Sequence, residues 1–296
     1  MNEKPSRLKV HWILLRPFAT AGLIPPMLLG YVMAGANDLI TFLLAFIGAT
    51  LILYGTHYHN SYSDYVRGID RGVTAKAYTS ASAVLPRGWV SVNEVIAGTF
   101  ILYFLGVLVW VYLAVSKTPL AIIPMLIGLG CGILYNEHGK YKGYGELLLA
   151  LAFGLASTLA GYIPVAGKIS IEPVLVALIP GILWSLFYTM DQYQDKDEDA
   201  KLGLRNIAIT LSDNKFPISR YIEFGFFLVL VIHLFLILVG IIPPLSFISI
   251  AVSPLMFLAV LSADVNPRKS AIYLILTFGF YVLLMDLGIV FGGGYS

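Results

Sequence analysis

Two short acidic stretches hold the residues of this chain best suited to chemistry. HNSYSDYVRGID supplies Asn60, Asp64 and Asp70; MDQYQDKDED supplies Asp191, Asp195 and Asp199. Asp191, Asp195 and Asp199 are four apart, which on a helix lines one face. Three like charges on one face repel unless cations neutralise them. Oxygen donors of this kind suit a hard divalent ion, and such an ion in turn holds polyanions such as diphosphate. A calcium loop starting at Asp195 is excluded, because its sixth position is Ala200 and its twelfth Asn206.

Other residues extend these clusters. His57, Asn60, Ser61 and Asp64 share a face three and four apart, and a polar stripe in an apolar helix turns toward protein or water. Asp70 lies beyond Gly68, where a helix is expected to break. Arg16 stands inside an apolar run and needs a partner there; an anion in a cavity is the expected one, with snorkelling to the inner surface as the alternative. Lys140 and Lys142, in HGKYKGYGE, are point charges for phosphate oxygens, with loop anchoring as the bland alternative. Tyr54, Tyr58, Tyr62, Tyr135, Trp184, Phe187 and Tyr188 approach the acidic stretches; aromatic faces stabilise cations, although each alone suits an interface anchor. His57, His59 and His138 form no tetrahedral ligand set. Asp197 and Glu198 are expected to face solvent, and Asp286 to hydrogen-bond between helices.

The elements that position these groups are membrane helices. Hydrophobic residues make up 58% of the 296 and charged ones 12%, against about half and about a quarter in soluble domains. Runs long enough to span fall near 12–35, 39–63, 93–115, 118–137, 145–167, 171–193, 220–241, 244–262 and 270–292. With the N-terminus inside, sixteen Lys and Arg fall in inner stretches and only Lys117 and Lys168 in outer ones. That asymmetry sets the orientation and puts both acidic stretches at the cytoplasmic rim. The expected fold is an all-α membrane protein, nine transmembrane helices in one bundle, residues 1–296 forming one domain. Arg16, Pro17, Pro25 and Pro26 interrupt the first segment, which reads as a retained, kinked helix, not a cleaved signal. Cys131 is the only cysteine, so no internal disulfide forms. The inner connections 64–92 and 194–219 are long enough to carry short interfacial helices. The second and sixth segments both end in aromatics followed by acids, a hint of a duplicated four-helix unit.

Together these residues resemble the UbiA superfamily of intramembrane prenyltransferases, whose nine helices carry two aspartate-rich motifs on the second and sixth. The menaquinone branch, which prenylates 1,4-dihydroxy-2-naphthoate, carries N-D-Y-x-D-x-x-x-G-x-D. Asn60 to Asp70 follow it except at Ser61. Arg16-Pro17, Pro26, Gly30, Gly143-Tyr144-Gly145-Glu146, Gly161 and the series Asp195, Asp199, Gly203 are also similar. Ser61, Ala83, Gln194, Leu204 and Asn206 depart from the branch, and Asp191 and Arg205 add charges it lacks.

The resemblance implies a Mg²⁺-dependent transferase in the plasma membrane, its active site facing the cytoplasm. A polyprenyl diphosphate would place its headgroup at the rim and its tail in a tunnel open to lipid. The implied metal ligands are Asn60, Asp64, Asp191, Asp195 and Asp199, with Asp70 in the catalytic set. Arg16, Arg67, Lys140, Lys142 and Arg205 would neutralise the diphosphate. Tyr62, Tyr135 and Tyr188 would shelter the allylic cation until an aromatic acceptor attacks. Ser61 is expected to point into the site, with Asp191 replacing the ligand it cannot supply. No nucleic-acid partner is expected. Another acceptor on the same fold (glycerol-phosphate ether lipid, 4-hydroxybenzoate, haem or chlorin) is the alternative. A transporter fits less well, because the midplane is almost free of charge. A catalytically dead scaffold is the reading that Ser61 raises and the surviving aspartates oppose.

Overall fold

The computed structural model describes residues 5–72 and 81–293. Among the described residues eight helices are long and apolar enough to cross a membrane, and a bent pair at the N-terminus, counted as one span, makes nine. We label them α1 (Arg7–Gly22 with Ile24–Met33), α2 (Leu39–Val66), α3 (Val92–Ser116), α4 (Pro119–Lys142), α5 (Gly145–Ala166), α6 (Ile171–Tyr193), α7 (Ile218–Leu238), α8 (Pro244–Ala263) and α9 (Pro267–Phe291).

The break in α1 sits where the prolines require it. The first turns, Arg7–Leu15, end at Arg16, which takes a left-handed conformation with φ 50. Pro17 disfavours a helical residue before it. Pro25 and Pro26 occupy the first turn of Ile24–Met33, where no amide donor is missed. The halves bend by 42°.

α5 and α6 are the inner helices, 67% and 61% buried across their spanning windows, whereas α3 and α8 are 22% and 28% buried and present apolar side chains outward. The second half of α1 crosses α5 backbone to backbone. A Cβ on Gly30 would stand 1.9 Å from the Thr158 carbonyl oxygen, and one on Gly161 1.9 Å from that of Met27. Only small residues permit such an approach between membrane helices. Met27, Ile163, Ile179, Leu183, Phe278 and Met285 fill the core these helices share with α9. The core is not wholly apolar. His233 on α7 bridges the Tyr281 hydroxyl at 2.8 Å and the Ser246 hydroxyl at 2.9 Å. Asp286 differs from expectation: its carboxylate is buried on α9, but neither oxygen has a hydrogen-bond partner.

α2 has 28 residues, about 42 Å of helix against a hydrocarbon core of about 30 Å. Its last turns therefore project beyond the apolar layer, and Asp64 lies on them. Beyond α6 the chain forms the short helices Lys196–Lys201 and Ile207–Asp213. The second is pinned at its start: Glu146 Oε1 accepts from Ile207 N at 2.7 Å and Asn206 Oδ1 from Ile209 N at 2.8 Å. These caps hold the acidic loop over the bundle end. Asn206, a departure from the menaquinone branch, serves here as the helix cap.

Candidate active site

A cavity of about 1120 Å³ enters the bundle from the end that carries the acids. Its mouth is polar. Arg16, Asn60, Asp64, Asp70, Lys140, Asp191, Asp195 and Asp199 all line it, from five different stretches of chain. Tyr135, Tyr188 and Trp184 line it further in, and Ala49, Ile52, Trp110 and Met125 line its apolar depth.

Local backbone irregularities aim several of these groups. Gly68 takes φ 81, a conformation that suits glycine, and ends α2. The following turn, Ile69–Gly72, brings Asp70 back to the cavity, where it is buried. Within α4 the turn Tyr135–Gly139 is a π-helix, and within α5 so is Leu151–Ala156. The extra residue per turn widens the helix and re-aims its side chains, a feature common at functional sites. Here it turns Tyr135, Asn136 and Phe153 into the cavity.

The acid of α2, Asp64, is paired. Lys140 Nζ pairs with Asp64, and the Tyr141 hydroxyl donates to the same oxygen at 3.0 Å. Arg16 Nη2 donates to Asn60 Oδ1 at 3.2 Å, while Asn60 Nδ2 donates to Asn136 Oδ1 at 3.0 Å. Arg16 pays backbone strain for this position, as functional groups in sparse conformations commonly do. Asn136, fully buried, also donates to the Thr56 carbonyl at 3.1 Å. Sequence reading passed over Asn136; a lone amide in the apolar run CGILYNE was its only signal.

Among the described residues Asp191, Asp195 and Asp199 form no ion pair; Gln194 Nε2 donates to Asp191 Oδ1 at 3.4 Å. α6 ends at Tyr193, and Asp195 starts a new helix as its N-cap. The expected continuous face is thus broken, yet Asp191, Asp195 and Asp199 still converge on the cavity. Burial, then the charge of Asp195, pushes the Asp199 carboxyl up to about 6. Burial, then the charge of Asp64, pushes Asp70 up to about 7. Burial is the larger cause of both shifts and a neighbouring carboxylate the second; a cation at the mouth would offset the latter. Glu198, expected in solvent, also lines the mouth, as do Lys201 and Arg268. Asp197 is solvent-exposed as expected.

Other expected groups lie elsewhere. Arg67 does not reach the cavity: it pairs with Glu137 at 2.9 Å, donates to the carbonyls of Asn136 and Glu137, and stacks on Tyr141. It locks the end of α2 onto the π turn of α4. Lys142 and Arg205 are exposed and outside the cavity. Tyr62 packs with Leu14 and Trp89 in a small separate core. Ser61 is buried with its hydroxyl on the His57 carbonyl at 3.2 Å, so it does not face Asp191. Tyr135 and Tyr188 do meet in the cavity, hydroxyl to hydroxyl, with rings edge-on at 6.0 Å. Gln192 donates to the Tyr188 hydroxyl at 2.6 Å.

Among the described residues, no three His, Cys, Asp or Glu side chains stand close enough to hold a metal ion alone. The donor set nonetheless fits Mg²⁺, which is held by one or two carboxylates, waters and substrate phosphates more often than by an all-protein cage.

Residues 23–284 match the model of the UbiA prenyltransferase family. The chain belongs to this family. It is 26% identical over 215 residues, 71% of this chain and 68% of the relative, to 1,4-dihydroxy-2-naphthoate octaprenyltransferase of Bacillus subtilis (strain 168). It is 27% identical, over 69% of this chain and 70% of the relative, to 4-hydroxybenzoate octaprenyltransferase of Vibrio atlanticus (strain LGP32). The UbiA fold is also shared with solved structures. A digeranylgeranylglyceryl phosphate synthase superposes with TM-score 0.68 at 20% identity, covering 96% of this chain and 98% of that one. A UbiA homologue from Archaeoglobus fulgidus, solved with GPP and Mg²⁺, superposes with TM-score 0.67 at 16% identity, covering 95% and 99%. The chain is thus a multi-pass membrane prenyltransferase.

Proposed function

We propose that this prenyltransferase moves a polyprenyl group from its diphosphate to 1,4-dihydroxy-2-naphthoate. The observation that carries the transfer is the shape of one cavity: carboxylates and cations at its mouth, aromatic rings behind them, and an apolar bore beyond. The acceptor rests on the naphthoate relative and on the motif from Asn60 to Asp70.

In this reading Asp64, Asp70, Asp191, Asp195 and Asp199 would hold Mg²⁺, and Asn60 orients Arg16. Mg²⁺, when bound, lowers the charge of the leaving diphosphate. Arg16, Lys140, Lys201 and Arg268 place positive charge at the same mouth and stabilise the diphosphate as its C–O bond breaks. Lys140 can turn from Asp64 toward that anion because both line the cavity. Tyr135 and Tyr188 present aromatic faces to the allylic cation and help exclude water. A ring carbon of the acceptor attacks the cation and forms the new C–C bond; the ring regains aromaticity as its carboxylate leaves as CO₂.

Incubation of the purified protein with Mg²⁺, labelled geranylgeranyl diphosphate and a panel of acceptors, read by mass spectrometry, tests this. The expected product is prenylated naphthoquinol. A product with 4-hydroxybenzoate or a glycerol-phosphate lipid instead would move the acceptor; no product with any acceptor would sink the transfer itself. The charge asymmetry supports a cytoplasmic acid end. A cysteine placed at exposed Asn214 should resist an impermeant thiol reagent in intact cells and react after lysis; labelling of intact cells would reverse the orientation.

A further inference from the structure

The apolar depth of the cavity has a floor. Between Asp64 and Ala49 α2 advances fifteen residues, about 22 Å, and both side chains line the cavity. At the level of Ala49 the bore meets Trp110 of α3, which is 1% exposed. The Nε1–Cδ1 edge of its indole meets α2 where residue 48 is glycine: a Cβ on Gly48 would stand 2.8 Å from Trp110 Nε1 and 3.1 Å from Cδ1. That N–H has no hydrogen-bond partner, so packing alone holds the ring. Beyond it Phe42 and Ala45 on α2 and Leu113 on α3 are buried and do not line this cavity. Met125 of α4 lines the bore as well.

We infer that Trp110, seated on Gly48, is the residue that sets the length of prenyl chain this enzyme accepts. The inference rests on the transfer proposed above. An isoprene unit adds four carbon–carbon bonds, roughly 5 Å when extended, so the bore takes about four units before the tail meets the indole. A longer tail must displace the ring or leave the bore. The ring is the largest side chain at the floor, and no polar contact fixes it, so its removal extends the bore without orphaning a partner.

The test compares kcat/KM for geranyl, geranylgeranyl and hexaprenyl diphosphates in the wild type, Trp110→Ala and Ala49→Leu. The wild type should prefer geranylgeranyl over hexaprenyl diphosphate. Trp110→Ala should raise the hexaprenyl-to-geranylgeranyl ratio about tenfold, the scale on which apolar pockets discriminate. Ala49→Leu, which fills the floor from α2, should lower geranylgeranyl transfer and spare geranyl transfer; it keeps the test open if Trp110→Ala fails to fold. Active variants with an unchanged length profile would overturn the inference and mean that the tail leaves the bore sideways into lipid. A wild type that transfers no prenyl group from any donor would overturn the proposed function instead.

Discussion

The two acidic motifs look alike in sequence and differ in the folded protein. The motif on α2 comes with its countercharges: Asp64 is held by Lys140 and Tyr141, and Asn60 by Arg16 and Asn136. The motif at the end of α6 lines the same cavity, and among the described residues Asp191, Asp195 and Asp199 form no ion pair. Asp70 is the exception in the first motif: burial, then the charge of Asp64, raises its carboxyl. In the second motif burial, then the charge of Asp195, raises Asp199. On the proposed reading Mg²⁺ would supply the countercharge that the second motif lacks.

The largest effects that would break this comparison are on turnover. Asp195→Ala and Asp64→Ala should each lower kcat by about a hundredfold or more, the scale for losing one electrostatic stabiliser of a developing charge. Arg205→Ala and Lys142→Ala, outside the cavity, should stay within about twofold of wild type in the same assay. A hundredfold loss in either control would mean the cavity is not where the chemistry occurs.

Next in size is a difference in stability. Asp64→Ala leaves Lys140 buried and unpaired, and breaking a buried pair costs about 3–5 kcal/mol. Asp195 is exposed, and its loss relieves repulsion, so Asp195→Ala should unfold at or above the wild-type temperature in metal-free detergent. Thermal unfolding of both variants decides the matter. The double variant Asp64→Ala/Lys140→Met should recover stability without recovering activity. Equal destabilisation by Asp64→Ala and Asp195→Ala would show that the two motifs are electrostatically equivalent.

The smallest effect is a pH dependence. Asp70 and Asp199 have carboxyls raised to about 7 and about 6, against 3.8 for a free aspartate. A folded-state pKa above the unfolded value means the folded protein binds extra protons between the two. Their contribution to stability is fully present below about 4 and is lost as pH rises through 6 to 7. On the proposed reading Mg²⁺ would replace those protons. The rise in unfolding temperature on adding Mg²⁺ should therefore be several degrees larger at pH 8 than at pH 5.5. A pH-independent rise would assign the metal to groups other than these two.

Much of this protein is legible in its sequence because a bilayer imposes simple rules. Apolar length alone located the spanning helices within a few residues, since every backbone amide in lipid must be satisfied inside its own helix. Prolines marked the break in α1, and Gly68 marked the end of α2. Spacing identified the acids, and the structure gathers Asn60, Asp64, Asp70, Asp191, Asp195 and Asp199 around one cavity.

Spacing fails where a side chain's partner comes from another helix. Arg67 and Arg205 sit beside the acids in sequence and Lys142 in a basic loop, but packing turns all three away from the cavity, while Lys201 and Arg268 reach it. Ser61 shares a nominal face with Asp64, yet its hydroxyl closes onto its own backbone. Asn136 faces the cavity only because α4 inserts a π turn, which a 3.6-residue period does not anticipate. The same holds for the depth of the bore, which depends on Trp110 resting on a glycine of a different helix. The sequence by itself determined which residues are charged, which segments cross the membrane and which residues share a helix face. The tertiary structure decided which charges are paired, which remain open to a cation and where the cavity stops, because those depend on contacts between residues 44 to 77 positions apart.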